Sequence, residues 1–235
     1  MLFPLQVKGA ETRRRGKTLI GPVSMYLSGE GATVIIGPNG SGKTTLLNLL
    51  HGTARLHAGT IEWQVPIAEA RAVQSFVFQR PVMLRRSVVD NIAYPLLIRG
   101  VAKQKALAQA RDWATRVGLG DVTERAAPNL SGGEQQKLAL ARAFITEPQV
   151  VFLDEPCASL DGRATADIEA ILQDQKVHGT RLVMSTHNMG QARRLADEIV
   201  FLRGGQVHET GPARQFFDAP QSDAARAFLN GDIVE

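Results

Sequence analysis

Residues Gly37–Thr44 read Gly-Pro-Asn-Gly-Ser-Gly-Lys-Thr, the G-x-x-x-x-G-K-[ST] spacing of a loop that wraps phosphate. The apolar run Thr33-Val34-Ile35-Ile36 precedes it and Thr45-Leu46-Leu47-Asn48-Leu49-Leu50 follows. That order predicts a strand, a glycine-rich turn and a helix that opens at the phosphates. Gly37, Gly40 and Gly42 let backbone N–H groups converge on phosphate oxygens where Cβ atoms would obstruct them. Pro38, Asn39 and Ser41 complete the loop, and Thr45 continues into the helix. A helix N-terminus adds unpaired donors and partial positive charge. Lys43 brings a full charge to the same oxygens, and the Thr44 hydroxyl is placed to bind Mg²⁺. The expected ligand is a nucleoside triphosphate.

Around this loop the pattern predicts an α/β chain. Alternation in Leu2–Val7 and Val23–Leu27 suggests antiparallel strands, with Ile61–Val65 extending that edge and Ser75–Phe78 forming a short buried strand. From about Ser87 to Leu140 the period is helical. Ala106, Leu107, Ala110, Trp113, Ala114 and Val117 mark one face of a helix over Ala102–Val117 that Gly118 can end. Strand-like runs return at Val150–Leu153, Leu182–Met184 and Ile199–Leu202. The first two are continuously apolar, the sign of a parallel sheet covered on both faces. Short helices are expected after Pro212. The predicted layout is a phosphate-loop α/β core with a parallel sheet, an antiparallel β edge subdomain and a helical subdomain inserted over about 82–145. All 235 residues form one nucleotide-binding domain in this reading.

Composition narrows the class. No run approaches the roughly 18 apolar residues of a membrane-spanning helix. Met1–Gln6 lacks a basic leader, and the single cysteine, Cys157, permits no internal disulfide. A cytoplasmic chain, peripheral on the inner face of the membrane through a partner, is expected. The net charge of +4 rests partly on Arg13-Arg14-Arg15, Arg85-Arg86 and Arg193-Arg194. These runs are short and carry no interleaved aromatics, so no nucleic-acid partner is expected.

Two further stretches carry chemistry. Val150–Leu153 ends in Asp154-Glu155. A carboxylate at such a strand end sits beside the phosphate loop and can hold Mg²⁺, a role we assign to Asp154. Glu155 is placed to polarise an attacking water. Leu130-Ser131-Gly132-Gly133-Glu134-Gln135-Gln136 contains the S-x-x-E capping box of a helix start that could also hold an anion.

The heptapeptide Leu130–Gln136 resembles the signature motif of ATP-binding cassette (ABC) proteins, and the other motifs keep that family's order. Gln79 resembles its Q-loop glutamine, Ser159-Leu160-Asp161 its D-loop, and His187 in Ser185-Thr186-His187 its switch histidine. The resemblance implies ATP with Mg²⁺ and hydrolysis, with Glu155, His187 and Gln79 as catalytic residues. Thr44, Gln79 and Asp154 would hold the metal. It implies an ATP-dependent head-to-tail homodimer in which Ser131, Gly132, Gly133 and Glu134 close over the nucleotide of the facing copy. Asp161 would lie at that interface.

The family's usual adenine-stacking aromatic has no counterpart in Arg13-Arg14-Arg15-Gly16, where Arg15 could stack on the base instead. Cys157 is read as packing. Coupling to a separate integral membrane permease is implied, with Arg80–Leu84 as its contact and an extracytoplasmic solute-binding protein in the same system. Phe78–Val88 resembles cassettes of oxyanion importers, tungstate in particular. Polar amino-acid importers are the alternative, and a soluble mechanochemical ATPase is a more distant one.

Overall fold

The computed structural model describes residues 2–232. Strands β1 (Leu5–Arg14) and β2 (Lys17–Leu27) form an antiparallel hairpin, with β4 (Ala58–Glu62) on the far side of β1. Both hairpin strands run longer than the apolar alternation suggested. Their polar ends still pair, Arg14 facing Lys17, around a turn in which Arg15 and Gly16 both have positive φ. β4 starts and ends earlier than the predicted Ile61–Val65. Trp63 leaves the sheet and packs edge-on against Phe3, with 5.4 Å between ring centroids.

The main sheet has the order β5-β6-β7-β3-β8-β9. Its strands are β3 (Ala32–Ile36), β5 (Gln74–Val77), β6 (Val150–Asp154), β7 (Arg181–Ser185), β8 (Glu198–Arg203) and β9 (Gln206–Pro212). All neighbours pair in parallel except β8 and β9. Alternation inside the buried strands divides the core in two. Val34, Ile36, Leu153 and Met184 face one layer, packed with Leu140, Phe144, Ile168 and Leu172. Ile35, Phe152, Val183 and Val200 face the other, against Leu46, Leu47 and Leu50 and the hairpin's Leu5, Val7 and Ile20. Burying each such aliphatic side chain is worth about 1.5–3 kcal/mol, so both sheet faces are firmly anchored.

The helix after the phosphate loop is α1 (Lys43–His51). A short α2 (Ile67–Ala72), which the sequence pattern did not mark, leads into β5. The predicted helical stretch is α3 (Val88–Ile98), α4 (Lys103–Arg116) and α5 (Gly132–Phe144), with two 3₁₀ turns between α4 and α5. These helices share a separate core in which Ala106, Ala110 and Ala114 of α4 are buried with Val88, Ile92 and Leu138. The small alanines at i, i+4 spacing let α4 approach its neighbours closely. α6 (Gly162–Val177) and α7 (Met189–Leu195) link the later strands. α8 (Ala213–Asp218) and α9 (Asp223–Asn230) are the short helices expected after Pro212.

Candidate active site

β3 delivers the phosphate loop at its C-terminal end, and neighbouring backbone fixes the loop's path. A Cβ on Gly37 would meet the Leu202 carbonyl oxygen at 2.0 Å, and one on Gly42 would meet Ile20 Cδ1 at 2.5 Å. Gly42 also takes the left-handed conformation at the N-cap of α1, φ 101°. Gly205 N–H donates to the Ser41 carbonyl at 3.0 Å, so the β8–β9 turn braces the loop. Ser41 Oγ is buried and, among the described residues, has no hydrogen-bond partner. A buried hydroxyl left unpaired beside a ring of glycines fits an anionic ligand that would satisfy it.

Lys43 is buried, and its Nζ donates to the Gly37 carbonyl at 3.0 Å and the Pro38 carbonyl at 3.1 Å. Burial lowers its pKa, and the negative charges of Glu155 and Asp154 oppose that shift. The lysine therefore sits between its own loop and two carboxylates, where phosphate oxygens are a natural exchange partner.

β6 and β7 end side by side, Asp154 opposite Ser185. Asp154 Oδ1 accepts from Thr44 Oγ1 at 2.9 Å and from Ser185 Oγ at 2.7 Å. The Ser185 hydroxyl in turn accepts from Glu155 N–H at 3.0 Å. Glu155 is held at φ 44°, a left-handed conformation that costs about 1–2 kcal/mol for a residue with Cβ. A second bond from its N–H, to the Ser185 carbonyl at 3.1 Å, holds it there. The Glu155 carboxylate Oε2 lies 2.8 Å from His187 Nδ1. Thr44, Asp154, Ser185, Glu155 and His187 thus form one continuous hydrogen-bonded row along the strand ends. Hard oxygens of Thr44 and Asp154 face each other there, the donor set that Mg²⁺ takes from protein.

Ser185, which the sequence marks only as a neighbour of His187, joins the two acids. The available signal was its place as a polar residue closing the buried strand Arg181–Ser185.

Other predicted residues stand apart from this row. Gln79 is exposed just after β5. Arg15 is exposed at the tip of the hairpin. Ser131 caps α5 as the spacing predicted: its N–H donates to Glu134 Oε2 at 2.8 Å and its Oγ accepts from Glu134 N–H at 3.4 Å. The Ser131 hydroxyl, which also donates to Glu134 Oε2 at 2.7 Å, and the Ser131 N–H together hold the Glu134 carboxyl below its ordinary pKa. Asp161 caps α6, accepting from Ala164 N–H at 2.8 Å. The starts of α5 and α6 are neighbours, tied further along by Lys137 Nζ to Asp167 Oδ2 at 2.5 Å. Cys157 is half-buried with its thiol pushed up to about 11 by burial, which fits packing.

Beside β5 opens a groove of about 410 Å³, lined by Phe78, Pro81, Val82, Leu84, Tyr94 and Ile98 among others. Phe78, Val82 and Ile98 are 50%, 70% and 67% exposed, an apolar surface on a lobe otherwise well packed. No helix among the described residues is long and apolar enough to cross a membrane.

A family model described as "ABC transporter" matches residues 20–158. The chain is 41% identical over 197 residues to a tungstate uptake system ATP-binding protein of Peptoclostridium acidaminophilum, covering 83% of this chain and 92% of that one. It is 36% identical over 252 residues to a phosphate import ATP-binding protein of Natronomonas pharaonis, covering 98% of this chain and 87% of the relative. Its fold matches a dimeric post-hydrolysis structure of the ATP-binding cassette MJ0796 bound to ADP and Pi. The TM-score is 0.80 at 23% identity, over 89% of this chain and 99% of that one.

Proposed function

The chain belongs to the ATP-binding cassette (ABC) transporter family, and from that premise we propose that it is the ATP-hydrolysing subunit of an oxyanion importer, with tungstate as the solute. The observation that carries the enzymatic part is the hydrogen-bonded row from Thr44 through Asp154, Ser185 and Glu155 to His187. The tungstate and phosphate relatives support the solute class, in agreement with the Phe78–Val88 resemblance.

In this reading the whole chain is one nucleotide-binding unit with a helical lobe over about 82–145. The backbone N–H groups of the Gly37–Thr44 loop, its Ser41 hydroxyl and Lys43 bind the ATP phosphates, and the lysine exchanges its loop carbonyls for phosphate oxygens. Thr44 and Asp154 hold Mg²⁺, with Gln79 reaching it from the end of β5. The metal, when bound, supplies charge neutralisation to the phosphates. Glu155 accepts a proton from the attacking water, and His187 keeps the carboxylate aimed. The left-handed backbone of Glu155 turns its side chain off the strand line toward the loop, a local cost consistent with a working residue. Arg15, at the hairpin tip, stacks on the adenine.

Ser131, Gly132, Gly133 and Glu134 lie at an exposed helix start, while Lys43 bonds its own loop at Gly37 and Pro38, so a second copy completes each site. The dimeric structural neighbour supports that arrangement. Asp161, beside this helix start, lies at the same interface. The exposed groove at Phe78, Val82 and Ile98 receives a helix of a membrane permease, which places the chain at the membrane through that partner. A solute-binding protein delivers the oxyanion outside.

The test is to purify the Glu155→Gln chain with ATP from native membranes. Recovery of a multi-span permease encoded with an oxyanion-binding protein is the expected result; recovery of ribosomes or DNA would overturn the transport reading.

A further inference from the structure

His51 is the last residue of α1, at the opposite end of the helix from Lys43. Its ring is wedged edge-on between two phenylalanines, with centroids 5.2 Å from Phe76 and 5.5 Å from Phe152. Phe76 and Phe152 are themselves stacked at 6.4 Å. Phe76 also packs against Phe78 at 4.6 Å, and Phe78 is half-exposed on the wall of the apolar groove. At the other end, Phe152 precedes Asp154 by two positions on β6, and Asp154 accepts the Thr44 hydroxyl. The His51 Nδ1 is buried and, among the described residues, unpartnered.

We infer that His51 is a positioning residue, whose wedged ring ties the packing of the surface groove to the placement of the phosphate-loop helix. The route is short. Anything that reseats Phe78 presses on Phe76, and Phe76 bears on His51 and Phe152 together. A nine-residue helix is a rod about 13 Å long, so a push at His51 reaches Lys43 and Thr44 at its far end. Phe152 carries the same displacement along β6 toward Asp154. Both halves of the candidate magnesium site, Thr44 and Asp154, therefore rest on one aromatic row. Dense interiors pass such displacements on because side chains have little room to absorb them. The inference rests on the groove being the permease seat, but the coupling it describes belongs to the isolated chain and is measurable there.

The experiment is a double-mutant cycle on the full chain, read as the dissociation constant of a fluorescent ATP analogue with Mg²⁺. Phe78→Ala alters a half-exposed residue outside the nucleotide site. In the otherwise unchanged chain it should shift nucleotide affinity, with a coupling on the order of 2- to 30-fold. In a His51→Ala background the same Phe78→Ala change should have no effect, and His51→Phe, which restores a ring, should restore the sensitivity. A purely packing role predicts lower melting temperatures with the Phe78→Ala effect unchanged. Equal fold-changes in both backgrounds, or none in either, would overturn the inference. Should His51→Ala fail to fold, Phe76→Leu interrupts the row at the next ring and is judged by the same two outcomes. An unsubstituted chain that binds no nucleotide would refute the ATPase reading, and this inference with it.

Discussion

Replacing Ser185 by alanine removes the one hydroxyl that joins both acids of the site. Its Oγ is fully buried, donates to Asp154 at 2.7 Å and accepts from Glu155 N–H at 3.0 Å. The bond to Asp154 is charge-assisted, a class worth about 1.5–3 kcal/mol. The Glu155 N–H keeps its second acceptor, the Ser185 carbonyl at 3.1 Å, so that loss is partly covered. Net destabilisation should be about 2 kcal/mol, a fall of roughly 4–8 °C in Tm for a chain of this size. The functional effect is separate. With only Thr44 left to hold it, the Asp154 carboxylate can rotate, and loss of such an orienting partner typically lowers metal affinity about 10- to 100-fold. Turnover is measured against free Mg²⁺ at saturating ATP, alongside a thermal melt. The half-saturating Mg²⁺ should rise by that factor, with turnover largely recovered at high Mg²⁺. An unchanged Mg²⁺ dependence together with the lowered Tm would mean that Ser185 only packs the strand ends, and the argument for a shared Asp154–Glu155 support would fail.

Two other outcomes follow from the same geometry. Ser131→Arg places a bulky cation at the exposed start of α5, so the chain should bind ATP as a monomer with unchanged affinity yet form no ATP-induced dimer by light scattering; a dimer would contradict the shared site. Cys157, with its thiol at about 11, holds only about one thiolate in a thousand at pH 8, against about a quarter for an ordinary thiol near 8.5. Because the shift is upward, the native chain should resist iodoacetamide at pH 8 and react only well above it, while the urea-unfolded chain labels readily. Rapid native labelling would contradict the packing role.

What the sequence made legible was whatever depends on local order. The phosphate loop, the buried parallel strands and the capping box each write their physics into a few adjacent residues: Gly37–Thr44, Val150–Asp154, Ser131 with Glu134. Less legible was anything set by partners distant in the chain. The hairpin strands extend to Arg14 and Lys17 because cross-strand pairing carries polar residues that alternation alone would exclude. β9 reads Gln-Val-His-Glu-Thr-Gly-Pro and forms a strand because β8 offers it an edge. Ser185 looks like a strand end until β6 and β7 come into register and set it opposite Asp154. His51, one letter after an apolar helix run, acquires its place only when Phe76 and Phe152 close around it.

In the mechanism we propose, two copies of this chain close around ATP and Glu155 then activates the water that cleaves it. Sedimentation of the Glu155→Gln chain with Mg²⁺ and radiolabelled ATP tests this most directly. The expected result is an ATP-dependent dimer holding two unhydrolysed nucleotides, which falls apart when ATP is removed. A chain saturated with ATP that remains a monomer, or one that hydrolyses ATP at the unsubstituted rate, would contradict it.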